Sequence, residues 1–281
     1  MRHFTCAIVN SLALPFSTRR TLILAPHPDD DVIAAGGLMQ RVLESGGELA
    51  VVFVTDGENN PWPQRFLHRK LFLTDADRAA WGAMRRREAL CSLARLGVPE
   101  KSATFLAFPD QGIAARARRG ENVLREIVIK IVDDFKPTLI VSPSTFDQHS
   151  DHRAIAYYTH RAAPQPDIAT YVIHGKAPAG RERFTLELSA CEQKRKLDAV
   201  ECHESQLALS RARFLSYACR DEVFYRAEFD VVRVESAMRE RFIAFQHAIR
   251  VCFGTHPAIA GSRVEPAADV QDGAGDVAGL L

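Results

Sequence analysis

Two short runs concentrate the side chains that do chemistry. His27-Pro28-Asp29-Asp30-Asp31 puts one imidazole and three carboxylates within five residues, and Asp147-Gln148-His149-Ser150-Asp151-His152 adds two imidazoles and two carboxylates. Imidazole and carboxylate are the ligands of zinc, and a catalytic zinc typically takes three protein ligands and leaves one position for water. His27, Asp30 and His152 make that count, predicting one ion per chain, with other divalent first-row metals also suited to N/O ligands. Asp29 is left to take a proton from the water, and His149 to stabilise charge growing on a carbonyl oxygen. Asp151 is placed to orient an imidazole through its second ring nitrogen, and beside His149 it is expected to favour the charged form of that ring. The competing reading of the first run is structural: carboxylates at a helix start accept free backbone N–H groups and oppose the dipole.

Such residues need a scaffold that brings both runs to one place. Residues 21–25 and 49–54 are short apolar runs closed by Pro26 and by Asp56-Gly57, and both are read as buried strands. Between them Val32, Ala35, Leu38, Met39, Val42 and Leu43 recur at helical spacing up to Gly46-Gly47. Further helices are predicted over 75–96 and 121–135, and a strand over 138–142 ended by Pro143. The alternation predicts an α/β, Rossmann-like fold, a mostly parallel sheet with helices on both faces, whose active site lies at the C-terminal edge of the strands. Each motif follows a strand, so both fall on that edge. Residues 56–74 are expected to be a long loop over the edge, 186–209 a helix, 223–234 paired strands, and 236–251 a final helix. The domain limits expected are an N-terminal extension over 1–20, one α/β domain over 21–256 and a disordered tail over 257–281.

Composition narrows the function classes. The 36 basic and 35 acidic side chains give a formal charge of +1, leaving no global field to attract nucleic acid or anionic lipid. Six cysteines without a CxxC pair or framework spacing predict a reduced, cytoplasmic setting. No apolar stretch approaches the roughly 20 residues of a transmembrane helix. The run from Phe4 to Phe16, preceded by Arg2, lacks the apolar centre and small-residue cleavage site of a signal peptide. Oligomeric state leaves no trace in the sequence.

The pairing of Pro26-His27-Pro28-Asp29-Asp30 after a first strand with His149-Ser150-Asp151-His152 after a later one resembles the LmbE-like, or PIG-L, family of zinc-dependent N-acetylglucosamine deacetylases. Weaker echoes lie between them: Arg85-Arg86-Arg87-Glu88 leading to Leu96-Gly97-Val98, and Phe108-Pro109-Asp110-Gln111-Gly112. The resemblance spans residues 20 to 210. It implies His27, Asp30 and His152 as zinc ligands, Asp29 as general base, His149 as electrostatic stabiliser and Asp151 as its orienting carboxylate, the same assignment that the residue types give. It also implies a small-molecule or glycoconjugate substrate carrying an N-acetyl group. Asp31 departs from the family's usual Glu, which predicts altered contacts at the helix start without loss of metal.

Other residues carry weaker signals. Arg85 could bind a sugar hydroxyl or phosphate, although an arginine run is more often a solvated helix face. His174, at the end of a strand-like stretch, could line the pocket or be a structural histidine. Trp81 reads as core, Trp62 as a candidate sugar-stacking ring, and His203-Glu204-Ser205-Gln206 as a packing element. Gly36-Gly37 lacks the spacing of a dinucleotide fingerprint. Two other function classes share these motifs: a metal-dependent phosphoesterase, and a non-catalytic sugar- or nucleotide-binding α/β module. Acetate release measured together with metal content separates them.

Overall fold

In the computed structural model, residues 15, 17–162, 166–176 and 180–227 are described. They fall in the first of two units, Met1–Arg241, the second being Phe242–Leu281. The expectations for residues 1–14, for the helix over 236–251 and for the tail from 257 lie outside them.

Strands alternate with helices in chain order: β1 (Arg20–Ala25), α1 (Asp30–Glu44), β2 (Glu48–Thr55), α2 (Pro61–His68), α3 (Asp75–Arg95), β3 (Ala103–Phe108), α4 (Ile113–Arg118), α5 (Val123–Phe135), β4 (Leu139–Pro143), α6 (Ser150–Ala162), β5 (Asp167–Tyr171), β6 (Arg183–Leu186), α7 (Ala190–Val200), α8 (Glu204–Ala218) and β7 (Glu222–Arg226). The sheet order is β3-β2-β1-β4-β5-β7-β6. Strands β1 to β5 run parallel, while β7 is antiparallel to both β5 and β6. The chain therefore builds outward from β1 to β3 and then returns to β1's other side with β4. At such a switch point the loops leaving adjacent strands diverge and open a crevice.

The strand sequences show why both faces are covered. Leu22 and Leu24 of β1, with Val52 and Val54 of β2, point into one core, while Ile23, Ala25, Val51 and Phe53 point into the other. Leu22 to Ala25 of β1 and Val51 to Val54 of β2 are apolar and buried on both faces because each face meets a layer of helices. Helices α4, α5 and α6 supply one layer, and α1, α3, α7 and α8 contribute to the other.

Helix α1 is broken at Ala35 (φ −141°, ψ 19°), and a buried ion pair bridges the break. Lys196 Nζ donates to Ile33 O at 3.0 Å, Glu222 accepts from Gly37 N and Leu38 N at 2.6 and 2.9 Å, and the two side chains meet at 2.6 Å. The cation thus caps the end of the first half and the carboxylate the start of the second. Gly37 is needed here because a Cβ would lie 2.2 Å from Leu188 Cδ2.

Three expectations are corrected. Residues 56–74 are not one loop: α2 occupies Pro61–His68, with proline at its start, and its apolar residues form no inward stripe for periodicity to find. The helix expected over 186–209 is two helices. Ser189 and Glu192 form a capping box at the start of α7, and His203, at φ −86° and ψ 58°, starts α8 anew. Of the strands expected over 223–234, the described part, β7, pairs with the upstream β6 and β5. No helix among the described residues is long and apolar enough to cross a membrane.

Candidate metal centre and active site

The loops after β1 and β4 meet because β1 and β4 are neighbours, with Ile23 opposite Val141. The first loop carries His27 to Asp30, the second His149 to His152. Asp30 is the hub. Its Oδ2 accepts from His27 N at 2.9 Å, stands 3.0 Å from His27 Nδ1 and lies 3.2 Å from His152 Nε2. The other nitrogen of each imidazole faces its own carboxylate: His27 Nε2 lies 3.1 Å from Asp110 Oδ1, and His152 Nδ1 lies 3.2 Å from Asp147 Oδ2. Both rings thus turn one nitrogen to Asp30 and anchor the other, the arrangement in which a carboxylate fixes a ligating imidazole.

The electrostatics point the same way. Burial disfavours charge on His27, yet Asp110 and Asp30 raise its pKa well above the usual imidazole range. His152, fully buried, is lifted against that penalty to about 10 by Asp30 and Asp147. Asp110 goes the other way, to about 2, because His27 outweighs the effect of burial. Asp147 is lowered as well, chiefly by His152 against the burial cost, and it accepts from His149 N, Ile173 N and His174 N at 2.8, 2.9 and 3.1 Å. Imidazoles held cationic among buried carboxylates mark a position that favours positive charge. Imidazole nitrogens and carboxylates are also the donor types a divalent cation takes, in place of the protons those nitrogens otherwise hold.

Asp29 does not cap the helix. It precedes α1 with φ 145° and ψ −29°, a backbone region that side chains other than glycine rarely adopt, and its carboxylate makes no capping hydrogen bond. Its Oδ2 stands 3.1 Å from Arg85 Nη2, which also donates to Pro28 O at 2.7 Å, while Arg85 Nη1 donates to Gly57 O at 3.1 Å. Burial raises the Asp29 carboxyl to about 7 against the pull of Arg85, the range in which a general base is effective. Asp31 is fully buried, is lifted by burial to about 8, and takes no part in the cluster.

His149 differs from its expected charge state. Burial and the neighbouring His27, His152 and His174 lower its pKa well below the usual range, with Asp30 opposing. Asp151 does not offset this: its backbone N–H donates to His149 Nδ1 at 3.3 Å, and its carboxylate instead accepts from Ala114 N at 3.3 Å. An accepting Nδ1 assigns the proton of the neutral ring to Nε2. Ligand atoms of His27, Asp110 and Asp151 lie within 4.8 Å of one another, as do those of His27, His149 and His152, and those of Asp30, His152 and His174.

His174 lies three residues beyond the end of β5, 5.1 Å from the His152 ring and 5.7 Å from His149, centroid to centroid. Burial, then His152, lowers its pKa to about 4. Arg85 is buried rather than solvated. Trp81 and His203 are buried, whereas Trp62 is exposed. Two carboxylates of the cluster carried no role in the sequence reading. Asp110 stood in the Phe108 to Gly112 echo, but the strand before it went unread, so nothing placed it on the same edge. Asp147 stands inside the second run, as close in sequence to His149 as Asp151 is, but five residues from His152 where Asp151 is one. The Arg85 to Glu88 echo also acquires a purpose: Glu88 accepts from Ser205 N and Oγ at 2.8 and 2.6 Å, pinning the start of α8 to α3 while Arg85 reaches the site.

Comparison with known proteins adds an independent line. The family model described as PIG-L, GlcNAc-PI de-N-acetylase, matches residues 22–163. A probable N-acetyl-alpha-D-glucosaminyl L-malate deacetylase 2 of Bacillus anthracis is 26% identical over 200 residues, covering 68% of this chain and 82% of that protein. A putative glucosamine-6-phosphate deaminase-like protein of Bacteroides thetaiotaomicron is 46% identical over 39 residues, only 14% of this chain and 6% of its own length. In fold, the chain is similar to the A40926 pseudoaglycone deacetylase Dbv21, with a TM-score of 0.58 and 20% identity, over 75% of this chain and 97% of that one.

Proposed function

The chain belongs to the PIG-L family, and from that premise we propose that it is a zinc-dependent hydrolase removing an N-acetyl group from an amino sugar or glycoconjugate. The observation that carries this reading is the convergence of His27 Nδ1 and His152 Nε2 on Asp30 Oδ2, at 3.0 and 3.2 Å, beside the uncapped carboxylate of Asp29. His27, Asp30 and His152 would hold the zinc, which when bound supplies a Lewis acid and lowers the pKa of water. Asp29, poised near neutrality, takes the proton of the attacking water and passes it to the departing amine. His149 acts as a neutral donor: its Nε2–H is aimed by the Asp151 backbone and stabilises charge on the acetyl oxygen without first losing or gaining a proton. Asp110 and Asp147 orient the two ligating imidazoles, and Arg85 positions Asp29 rather than contacting the sugar, because its donors face Pro28, Gly57 and Asp29. The matching relative, an N-acetyl-alpha-D-glucosaminyl L-malate deacetylase by description, supports an N-acetylated sugar as substrate class.

The deciding experiment incubates zinc-loaded protein with N-acetylated sugars and glycoconjugates and follows acetate and new primary amine. Equal release of both supports the reading. Phosphate release from phosphate esters without acetate would replace it with a phosphoesterase, and tight sugar binding without turnover would replace it with a binding module.

A further inference from the structure

Helix α2 is turned inside out. A helix on the surface of a soluble protein ordinarily directs its apolar stripe to the core, but the side chains α2 buries are Pro63 and Gln64. Gln64 Nε2 fastens the helix by donating to the carbonyls of Glu58 and Asn60 at 2.7 and 2.8 Å. Trp62, Phe66 and Leu67 are instead 58%, 63% and 46% exposed, and Leu71 and Phe72, just beyond the helix, reach 80% and 87%. Among the described residues one other large apolar side chain, Val123, is comparably open. Single exposed apolar residues need no explanation, whereas a contiguous group does.

The charges in the segment have one sign. From residue 59 to 74 there is no acidic side chain, and Arg65, Arg69 and Lys70 stand among the apolar residues. The Arg65 guanidinium lies over the Trp62 ring at 5.6 Å, so cation and aromatic share one surface. Lys70 is paired with Asp77 at 2.6 Å, and Arg65 and Arg69 are exposed.

We propose that residues 62–72 form an interfacial anchor that seats this chain on an anionic lipid bilayer. Trp62, Phe66, Leu67, Leu71 and Phe72 enter the headgroup boundary, and Arg65 and Arg69 meet the anionic headgroups. Apolar insertion and basic attraction are each weak alone and act together in peripheral anchors. Aliphatic Leu67 and Leu71 offer nothing to stack on a base, so the composition favours lipid over single-stranded nucleic acid. The anchor would also set the active site's height above the bilayer. Asn59, three residues before Trp62, donates its backbone N–H to Asp110 Oδ2 at 3.0 Å, and Asp110 faces His27.

The test is cosedimentation of the full-length, zinc-loaded chain with phosphatidylcholine vesicles and with vesicles containing phosphatidylglycerol, at low and high salt. The chain should partition to the phosphatidylglycerol vesicles, less so in high salt and on phosphatidylcholine alone. The triple variant Phe66→Ser/Leu71→Ser/Phe72→Ser and the double variant Arg65→Glu/Arg69→Glu should each lose about tenfold or more of that partitioning. Their thermal midpoints should not fall, because the replaced side chains lie on the surface. Absence of partitioning, or partitioning undiminished in the triple variant, overturns the proposal. So does self-association of the parent chain, or binding to single-stranded nucleic acid in place of vesicles, that disappears in the triple variant.

Discussion

Arg85 Nη2 lies 3.1 Å from Asp29 Oδ2 and donates to the carbonyl of Pro28, the residue before it. One guanidinium therefore holds both the side chain and the backbone of a residue at φ 145°. Lysine has no planar fork to make these contacts. Arg85→Lys should retain zinc and lower kcat more than it raises KM, as should Arg85→Gln. Gly57→Ala should reproduce the defect from a distance, because its Cβ would lie 1.6 Å from Arg85 Nη1 at a backbone φ of +63°. Steady-state kinetics with metal analysis of each variant checks this; unchanged kcat in Gly57→Ala with Arg85 intact would count against it.

Asp29→Asn keeps the shape of the side chain and removes its capacity to take a proton. Turnover of an N-acetylated substrate should fall by on the order of 10² to 10⁴-fold with zinc content unchanged. Near-parental turnover would leave Asp29 no role in proton transfer.

The two orienting carboxylates separate ligation from orientation. His27→Ala and His152→Ala should lose stoichiometric zinc, whereas Asp110→Asn and Asp147→Asn should retain it with affinity weakened by about 10 to 100-fold. Competition against a graded series of chelators reads the difference. Equal zinc affinity in parent and both Asn variants would show that Asp110 and Asp147 do not support the ligands.

The sequence made the hub legible because its residues are close in the chain and follow strands with clear apolar runs: β1 and β4 could be read, so the adjacency of His27 and His152 could be inferred. Asp110 was not legible, since the apolar run of β3, Phe105 to Phe108, is only four residues long and the strand is half-buried or exposed throughout. Asp147 was not, because distinguishing it from Asp151 needs the ring orientation of His152, which spacing does not carry. The surroundings of His149 are likewise beyond spacing: sequence proximity to Asp151 predicts a cation, while in the fold that carboxylate accepts from Ala114 N and the rings of His27, His152 and His174 lie near His149. Helix α2 was missed because its pattern is inverted.

The Lys196–Glu222 pair fixes the break in α1, 1% exposed on each side. Removing one partner leaves the other charge buried and uncompensated, which typically costs about 3–5 kcal/mol. Lys196→Met and Glu222→Gln should therefore each destabilise strongly, and the double variant should lose less than the sum of the two. Urea unfolding of the four proteins gives the coupling; additive losses would mean that the pair does not act as a unit.

His203 supplies a pH-dependent term that metal binding does not carry. Its ring is fully buried, and burial, with the nearby Arg85 cation second, lowers its pKa to about 3 from the ordinary 6.5. The native state therefore holds the ring neutral, while the unfolded chain gains a proton once the pH drops below about 6.5. With more protons bound in the unfolded state, stability falls as pH falls. The contribution is fully present above pH 6.5 and is lost progressively toward pH 3, with a limiting slope of about 1.4 kcal/mol per pH unit and a total of several kcal/mol. Glu88, raised by burial, has the opposite dependence and is common to parent and variant, so it cancels in the difference. His203→Gln removes the titration while keeping a polar side chain of similar reach. Urea unfolding of both proteins between pH 7.5 and about 4.5 should show the stability difference, parent minus variant, falling steadily below pH 6.5. Parallel stability curves across that range would mean that His203 is protonated, or reaches solvent, in the folded chain.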